Sequence, residues 1–130
     1  VVARLAGRCV LVVEDEALIA LMTQSMLRDL GCEIVGVAHT LADAMAMIQA
    51  NLHCLDAVAL DINLGGEHAA PLAGLLDANG IPFIVTTGYD DALLLEAFDG
   101  RPVLTKPFLA EHLAQALVPL LRADKGRSAG

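Results

Sequence analysis

Aromatic residues are almost missing: one Tyr, three Phe and no Trp make up 3% of the 130 residues. A core of large rings is thereby excluded. With 56% of positions apolar, the core has to be built from Ala, Val, Leu and Ile. No apolar run is long enough to cross a bilayer and no secretory signal pattern opens the chain, so a cytoplasmic protein without a membrane partner is expected. Basic residues are also few. Eight Lys and Arg stand against sixteen Asp and Glu, a net charge of −8, and they are scattered rather than gathered on one face. Nucleic acid is therefore not expected as a direct partner, whereas clustered carboxylates would attract a divalent cation. The three cysteines, Cys9, Cys32 and Cys54, are odd in number and lack metal-type spacing, which predicts buried reduced thiols.

What the chain does have is a set of short, uninterrupted apolar runs, each ending in a polar group. The central one is Ala57 to Asn63, A-V-A-L-D-I-N. Its lack of alternation predicts a parallel strand covered on both faces, and it stops at the carboxylate of Asp61 before Gly65 and Gly66 turn the chain. Taken alone, Asp61 could be a solvated strand-end residue. The first strand, Cys9 to Val13, ends in Glu14, Asp15 and Glu16, three acids that repel one another unless something positive sits among them. Glu16 also suits the N-terminus of the helix that follows.

That helix, Ala17 to Leu30, is predicted to bury Leu18, Met22, Met26 and Leu30 and to stop at Gly31. Strand two is Glu33 to Ala38. Thr40 caps a second helix running to about Gln49, with Asp43 in the capping-box position; His39 and His53 flank it as unpaired surface residues. Pro71 suits the first turn of a third helix ending near Asn79 and Gly80. Strand four, Pro82 to Thr87, ends in two hydroxyls, of which Thr87, beside Gly88, is the better placed. Asp90 or Asp91 could cap a short helix from Ala92 to Phe98. Leu93, Leu94, Leu95 and Phe98 give that segment an apolar surface too broad for one buried stripe, and part of it is expected to meet a partner or move. Strand five, Val103 to Thr105, precedes Lys106 and Pro107, and a last helix spans about Leu109 to Leu121. Residues 1–7 read as a lead-in, 8–122 as one domain, and 123–130 as a disordered tail.

Strands alternating with helices predict a parallel sheet with right-handed crossovers. In the order 2-1-3-4-5, strands one and three meet at the switch point, which brings Glu14 and Asp15 beside Asp61, with Thr87 and Lys106 ending the next two strands. An all-oxygen acidic set favours a hard ion such as Mg2+, and a hydroxyl and an ammonium around a carboxylate suit phosphoryl oxygens.

In order and spacing, V-L-V-V-E-D-E, A-L-D-I-N-L, V-T-T-G-Y and L-T-K-P-F resemble the receiver domain of two-component response regulators, from about Arg8 to Arg122. The fold that this resemblance implies is the flavodoxin-like (βα)5 doubly wound sheet. It also implies that Asp61 takes a phosphoryl group from a phosphohistidine of a sensor histidine kinase or phosphotransfer protein. Asp15 would bind Mg2+ directly, Glu14 through a water, and the backbone carbonyl of Asn63 would be a further ligand. Thr87 would hydrogen-bond the phosphoryl group, Lys106 would pair with it, and the Lys106–Pro107 peptide would be cis, aiming the lysine into the site.

Two departures matter. The usual switching aromatic, three residues before the lysine, is Val103 here, and the usual proline after the phosphoacceptor loop is replaced by Gly65 and Gly66. P-F-I-V-T-T-G-Y is similar to a receiver subgroup with a Phe-x-x-x-Thr-Gly-Tyr motif, often single domains or fused to kinases, in which Tyr89 is the candidate for part of the aromatic's role. No helix-turn-helix or basic stretch follows, so output is expected by protein contact through the Leu93 to Phe98 and last-helix face, as a relay or sink. A phosphorylation-independent interaction module is the alternative; the complete set of Glu14, Asp15, Asp61, Thr87 and Lys106 argues against it. A hydrolase with an aspartyl intermediate would need a second Asp where Asn63 stands, so only slow self-dephosphorylation is expected rather than enzymatic turnover.

Overall fold

The computed structural model describes residues 2–88, 98 and 100–121. Five strands form one parallel sheet: β1 (Cys9–Val13), β2 (Glu33–Ala38), β3 (Ala57–Asp61), β6 (Phe83–Thr87) and β7 (Val103–Thr105). Their order is β2-β1-β3-β6-β7, the expected 2-1-3-4-5 with β6 and β7 as fourth and fifth strands. The continuous apolar runs of β3 and β6 are buried at every position, because both lie inside the sheet with neighbours on either side. Helices α1 (Ala17–Asp29), α2 (Leu41–Ala50), α3 (Ala70–Ala78) and α4 (Ala110–Leu117) cover the two faces. Alternate strand residues feed two separate cores. Leu11, Val13, Phe83 and Val85 belong to one, while Val10, Val12 and Ile84 belong to the other.

Helix α1 departs from the predicted stripe. Leu18 is 69% and Met22 47% exposed, while Ala20, Thr23, Leu27 and Leu30 face the sheet. Residues 17–22 are all apolar, so periodicity alone supports two overlapping stripes. Small Ala20 and Thr23 let the helix approach closely, and Thr23 satisfies its hydroxyl by donating to the Ile19 carbonyl at 2.8 Å. Helix α2 starts as expected, with Thr40 Oγ1 accepting from the Asp43 amide at 3.1 Å, and ends one residue past Gln49. The last helix is shorter than predicted. Pro119 lacks the N–H an α-helix needs, and Val118–Leu120 closes as a 3-10 turn.

Three further details concern residues near the sheet ends. The lead-in contributes fully buried Leu5 to the core and is tied down by Val2 N donating to Leu30 O and Gly7 N to Gly31 O, both 2.9 Å. His39 is exposed but not unpaired: its Nδ1 lies 2.9 Å from the Glu14 carbonyl. Phe98, expected on an exposed face, is 2% exposed and belongs to the core. Leu93, Leu94, Leu95 and Tyr89 lie outside the described residues. Of the cysteines, all free, Cys32 is buried and Cys9 and Cys54 are half-buried. Among the described residues, no helix is long and apolar enough to cross a membrane.

Candidate functional site

At the C-terminal edge of the sheet, β3 delivers Asp61 and β1 delivers Glu14, buried at 2% and 3% exposure. Lys106, carried in by the turn after β7, bridges them. Its Nζ is 2.7 Å from Glu14 Oε1 and 3.1 Å from Asp61 Oδ2. The Lys106–Pro107 peptide is cis. Two buried carboxylates against one ammonium leave an excess of negative charge. Burial, and then the hydrogen bond with Asp61, push the Glu14 carboxyl up to about 8 against the pull of Lys106. Asp61 is raised as well, chiefly by burial, although its hydrogen bonds to Glu14, to the Asn63 amide and to Lys106 hold it down. Burial by itself would lower Lys106; the bond to Glu14 and the charges of Asp61 and Glu14 outweigh it, and the ammonium is raised.

The loop after Asp61, expected only to turn the chain, is a built element. Asn63–Leu64 (β4) and Glu67–His68 (β5) pair antiparallel, Asn63 opposite His68. Gly65 and Gly66 join them with φ of +61° and +93°, the paired positive angles of a tight hairpin turn that side chains disfavour. Leu-Gly-Gly-Glu is the signal that could have announced it. The hairpin is bonded to the site at two points: Asn63 N donates to Asp61 Oδ1 at 3.1 Å, and Gly65 N donates to Asp15 Oδ2 at 3.0 Å. Asn63 Oδ1 closes the turn by accepting from Gly66 N at 2.8 Å.

A cleft of about 170 Å3 opens over Asp61, lined by Asp15, Glu16, Asn63, the two hairpin glycines, Gly88 and Lys106. Thr87 ends β6 beside it, its hydroxyl donating to the Gly88 carbonyl at 3.1 Å; the register sets Asp61 opposite Thr86. Val103, on the edge strand, is 40% exposed. The donor set suits a hard divalent cation: every available ligand is oxygen, and Glu14, Asp15 and Glu16 can bring carboxylate oxygens within 4.8 Å of one another. Glu14, raised first by burial and then by its bond with Asp61, would gain from a cation that favours its charged form. Glu16, assigned from sequence to the helix start alone, is thus part of the acidic rim.

Fold and rim together define a doubly wound α/β signalling domain with an acidic, lysine-bridged site at its switch point. The response regulator receiver domain family matches residues 10–118, and the chain belongs to that family, the receivers of two-component signalling. The transcriptional regulatory protein PdtaR of Mycobacterium tuberculosis is 35% identical over 114 residues, 85% of this chain and 55% of PdtaR; the chain spans about half the length of the curated relatives it matches. The solution structure of SdrG from Sphingomonas melonis Fr1 is 42% identical with a TM-score of 0.79, covering 88% of this chain and 96% of SdrG. The BeF3-activated conformation of SdrG from Pseudomonas melonis Fr1 is 40% identical with a TM-score of 0.73, covering 89% and 98%. The response regulator PhyR from Brucella abortus is 28% identical with a TM-score of 0.76, covering 92% of this chain and 49% of PhyR.

Proposed function

We propose that Asp61 is the phosphoacceptor of this receiver. The observation that carries the reading is a buried carboxylate, held by Lys106 and beside Glu14, at the floor of an open acidic cleft. An Asp61 oxygen attacks the phosphorus of a phosphohistidine; the O–P bond forms, the P–N bond breaks, and the imidazole leaves with the electron pair and takes up a proton. Glu14, Asp15, Asp61 and the Asn63 backbone carbonyl would hold Mg2+, which would supply positive charge for the phosphoryl oxygens. Lys106 moves from the Asp61 carboxylate to those oxygens, and the Thr87 hydroxyl turns to donate to them. A relative with a BeF3-activated conformation supports this, since BeF3 mimics an aspartyl phosphate. Dephosphorylation is slow, because Asn63 has no acid to lend and its side-chain oxygen is engaged by Gly66.

The donor sits on α1. Leu18, Leu21 and Met22 stand exposed there, and between α1 and the turn after β7 runs an apolar groove of about 270 Å3 lined by Ile19, Met22, Met26, Pro107 and Phe108. Lys106 lines both this groove and the acidic cleft. A helical protein carrying the phosphohistidine can bury its apolar face there while the phosphorus lies over Asp61. Output passes by protein contact, as a relay or sink.

The deciding experiment is phosphotransfer with Mg2+ to wild type and Asp61→Asn, from phosphohistidine proteins and from acetyl phosphate. Labelling of wild type only is expected. Leu18→Asp should slow transfer from the protein donor about 10-fold while leaving acetyl phosphate unaffected. No labelling from any donor would leave a phosphorylation-independent interaction module as the better reading.

A further inference from the structure

In a chain this poor in aromatics, the described ring contacts gather behind the phosphoacceptor hairpin. The His68 ring lies flat against Phe98, centroids 5.6 Å apart and planes 4° from parallel. Phe98 meets Phe83 of β6 edge-on at 6.4 Å, and the Arg101 guanidinium covers Phe83 at 4.7 Å from its centroid. Both carboxylate oxygens of Asp77 pin Arg101 at 2.6 Å. At the other end, His68 is the hairpin partner of Asn63, whose amide is bonded to Asp61 itself. The imidazole is oriented by its Nδ1, which accepts from Ala70 N at 3.0 Å.

We infer that His68 is a positioning residue that transmits the occupancy of Asp61 to Phe98 and, through it, to Phe83 of β6. The inference rests on Asp61 being phosphorylated, and it supplies a route that does not need an aromatic at position 103. When Asp61 becomes an aspartyl phosphate, Oδ1 loses its carboxylate charge whichever oxygen bridges to phosphorus, and it becomes a poorer acceptor for the Asn63 amide. A cation drawn to Asp15 competes with the Gly65 amide for the same carboxylate. Both bonds hold the hairpin, so its register with the site changes with occupancy. The hairpin is short and closed at its turn by Asn63, so a shift at Asn63 is carried across to His68. A flat ring pair buried at its far side resists separation, and Phe98 follows.

The three phenylalanines make the test direct, because their ring resonances can be followed separately. Mg2+ with BeF3 serves as the probe, and Phe108, on the Lys106 side of the sheet, reports occupancy. In wild type all three rings should shift. In His68→Asn, which has no ring but keeps an acceptor for the Ala70 amide, Phe108 should still shift while the Phe98 and Phe83 responses fall below half. His68→Phe, which keeps a ring and loses the acceptor, should restore them. Full Phe98 and Phe83 responses in His68→Asn, or no restoration in His68→Phe, would overturn the inference alone. A wild type in which no ring responds would overturn the phosphoacceptor reading with it.

Discussion

Each end of the sheet buries a cation against carboxylate, and the two ends are balanced differently. At the N-terminal edge, Arg8 is 5% exposed, with Nη1 3.8 Å from Asp56 Oδ1; Asp56 also accepts from the Cys9 amide at 2.7 Å, and Arg8 Nε donates to the Arg4 carbonyl. The described ion pair there sets one guanidinium against one carboxylate, with backbone groups beside both. At the C-terminal edge, Lys106 faces both Glu14 and Asp61. A balanced pair can only hold the fold together, whereas an unbalanced one has work left for an incoming cation. Buried cations and carboxylates thus make a structural clamp at one rim and a poised site at the other.

The sharpest way to break this contrast is to remove one carboxyl charge at each end. Asp56→Asn leaves Arg8 buried without its counter-charge and should cost about 3 kcal/mol in urea unfolding. Asp61→Asn leaves Lys106 paired one to one with Glu14, and should be neutral or stabilising at pH 8 without Mg2+. Equal losses from the two would erase the distinction.

The pH dependence follows chiefly from the burial of Glu14, with its bond to Asp61 adding to it. Glu14 is raised from 4.5 to about 8, so between those values the folded state keeps a proton that the unfolded chain has released. That contribution is fully present below about pH 4.5 and lost as pH rises through about 8, so the melting temperature of the metal-free protein should fall across this window. Mg2+ should offset the fall and bind more tightly as pH rises, because it displaces that proton. Calorimetry from pH 5 to 9, with and without Mg2+, checks both, and Asp61→Asn should flatten the slope.

Lys106→Met takes the only described ammonium from the upper rim. It should strengthen Mg2+ binding, measured by titration calorimetry, while lowering the phosphotransfer rate about 100-fold. The smallest effects are expected from the glycines. Gly7 and Gly65 both have positive φ, +75° and +61°, so alanine should cost about 1 kcal/mol at either. At Gly65 the added Cβ would stand 3.9 Å from Asp15 Oδ2, an ordinary contact, so Mg2+ binding measured by titration calorimetry should change less than about 3-fold at either glycine.

Much of the architecture was legible before any coordinates. Unbroken apolar runs such as A-V-A-L identify covered parallel strands, the polar residues that end them identify the functional rim, and a Thr three residues before an Asp identifies the start of α2. The places where the reading went astray share a cause. In α1 every residue from 17 to 22 is apolar, so hydrophobic pattern could not say which stripe would be buried, and shape decided in favour of Ala20 and Thr23. The lead-in has no period of its own, yet Leu5 finds a slot that other elements create. Phe98 looked like part of an exposed apolar face until Phe83 and His68, distant in sequence, were seen to enclose it.

By itself the sequence determined the order of elements, the parallel sheet and the set of polar residues at its C-terminal edge, because strand period, helix caps and glycine turns act over a few residues. Tertiary structure alone decided how charge is shared there. Lys106 choosing both Glu14 and Asp61, His39 supporting the acidic loop, and the hairpin reaching Phe98 through His68 all join residues far apart in the chain. Such contacts depend on distance and burial, which set the strength of every electrostatic interaction and which no local pattern encodes.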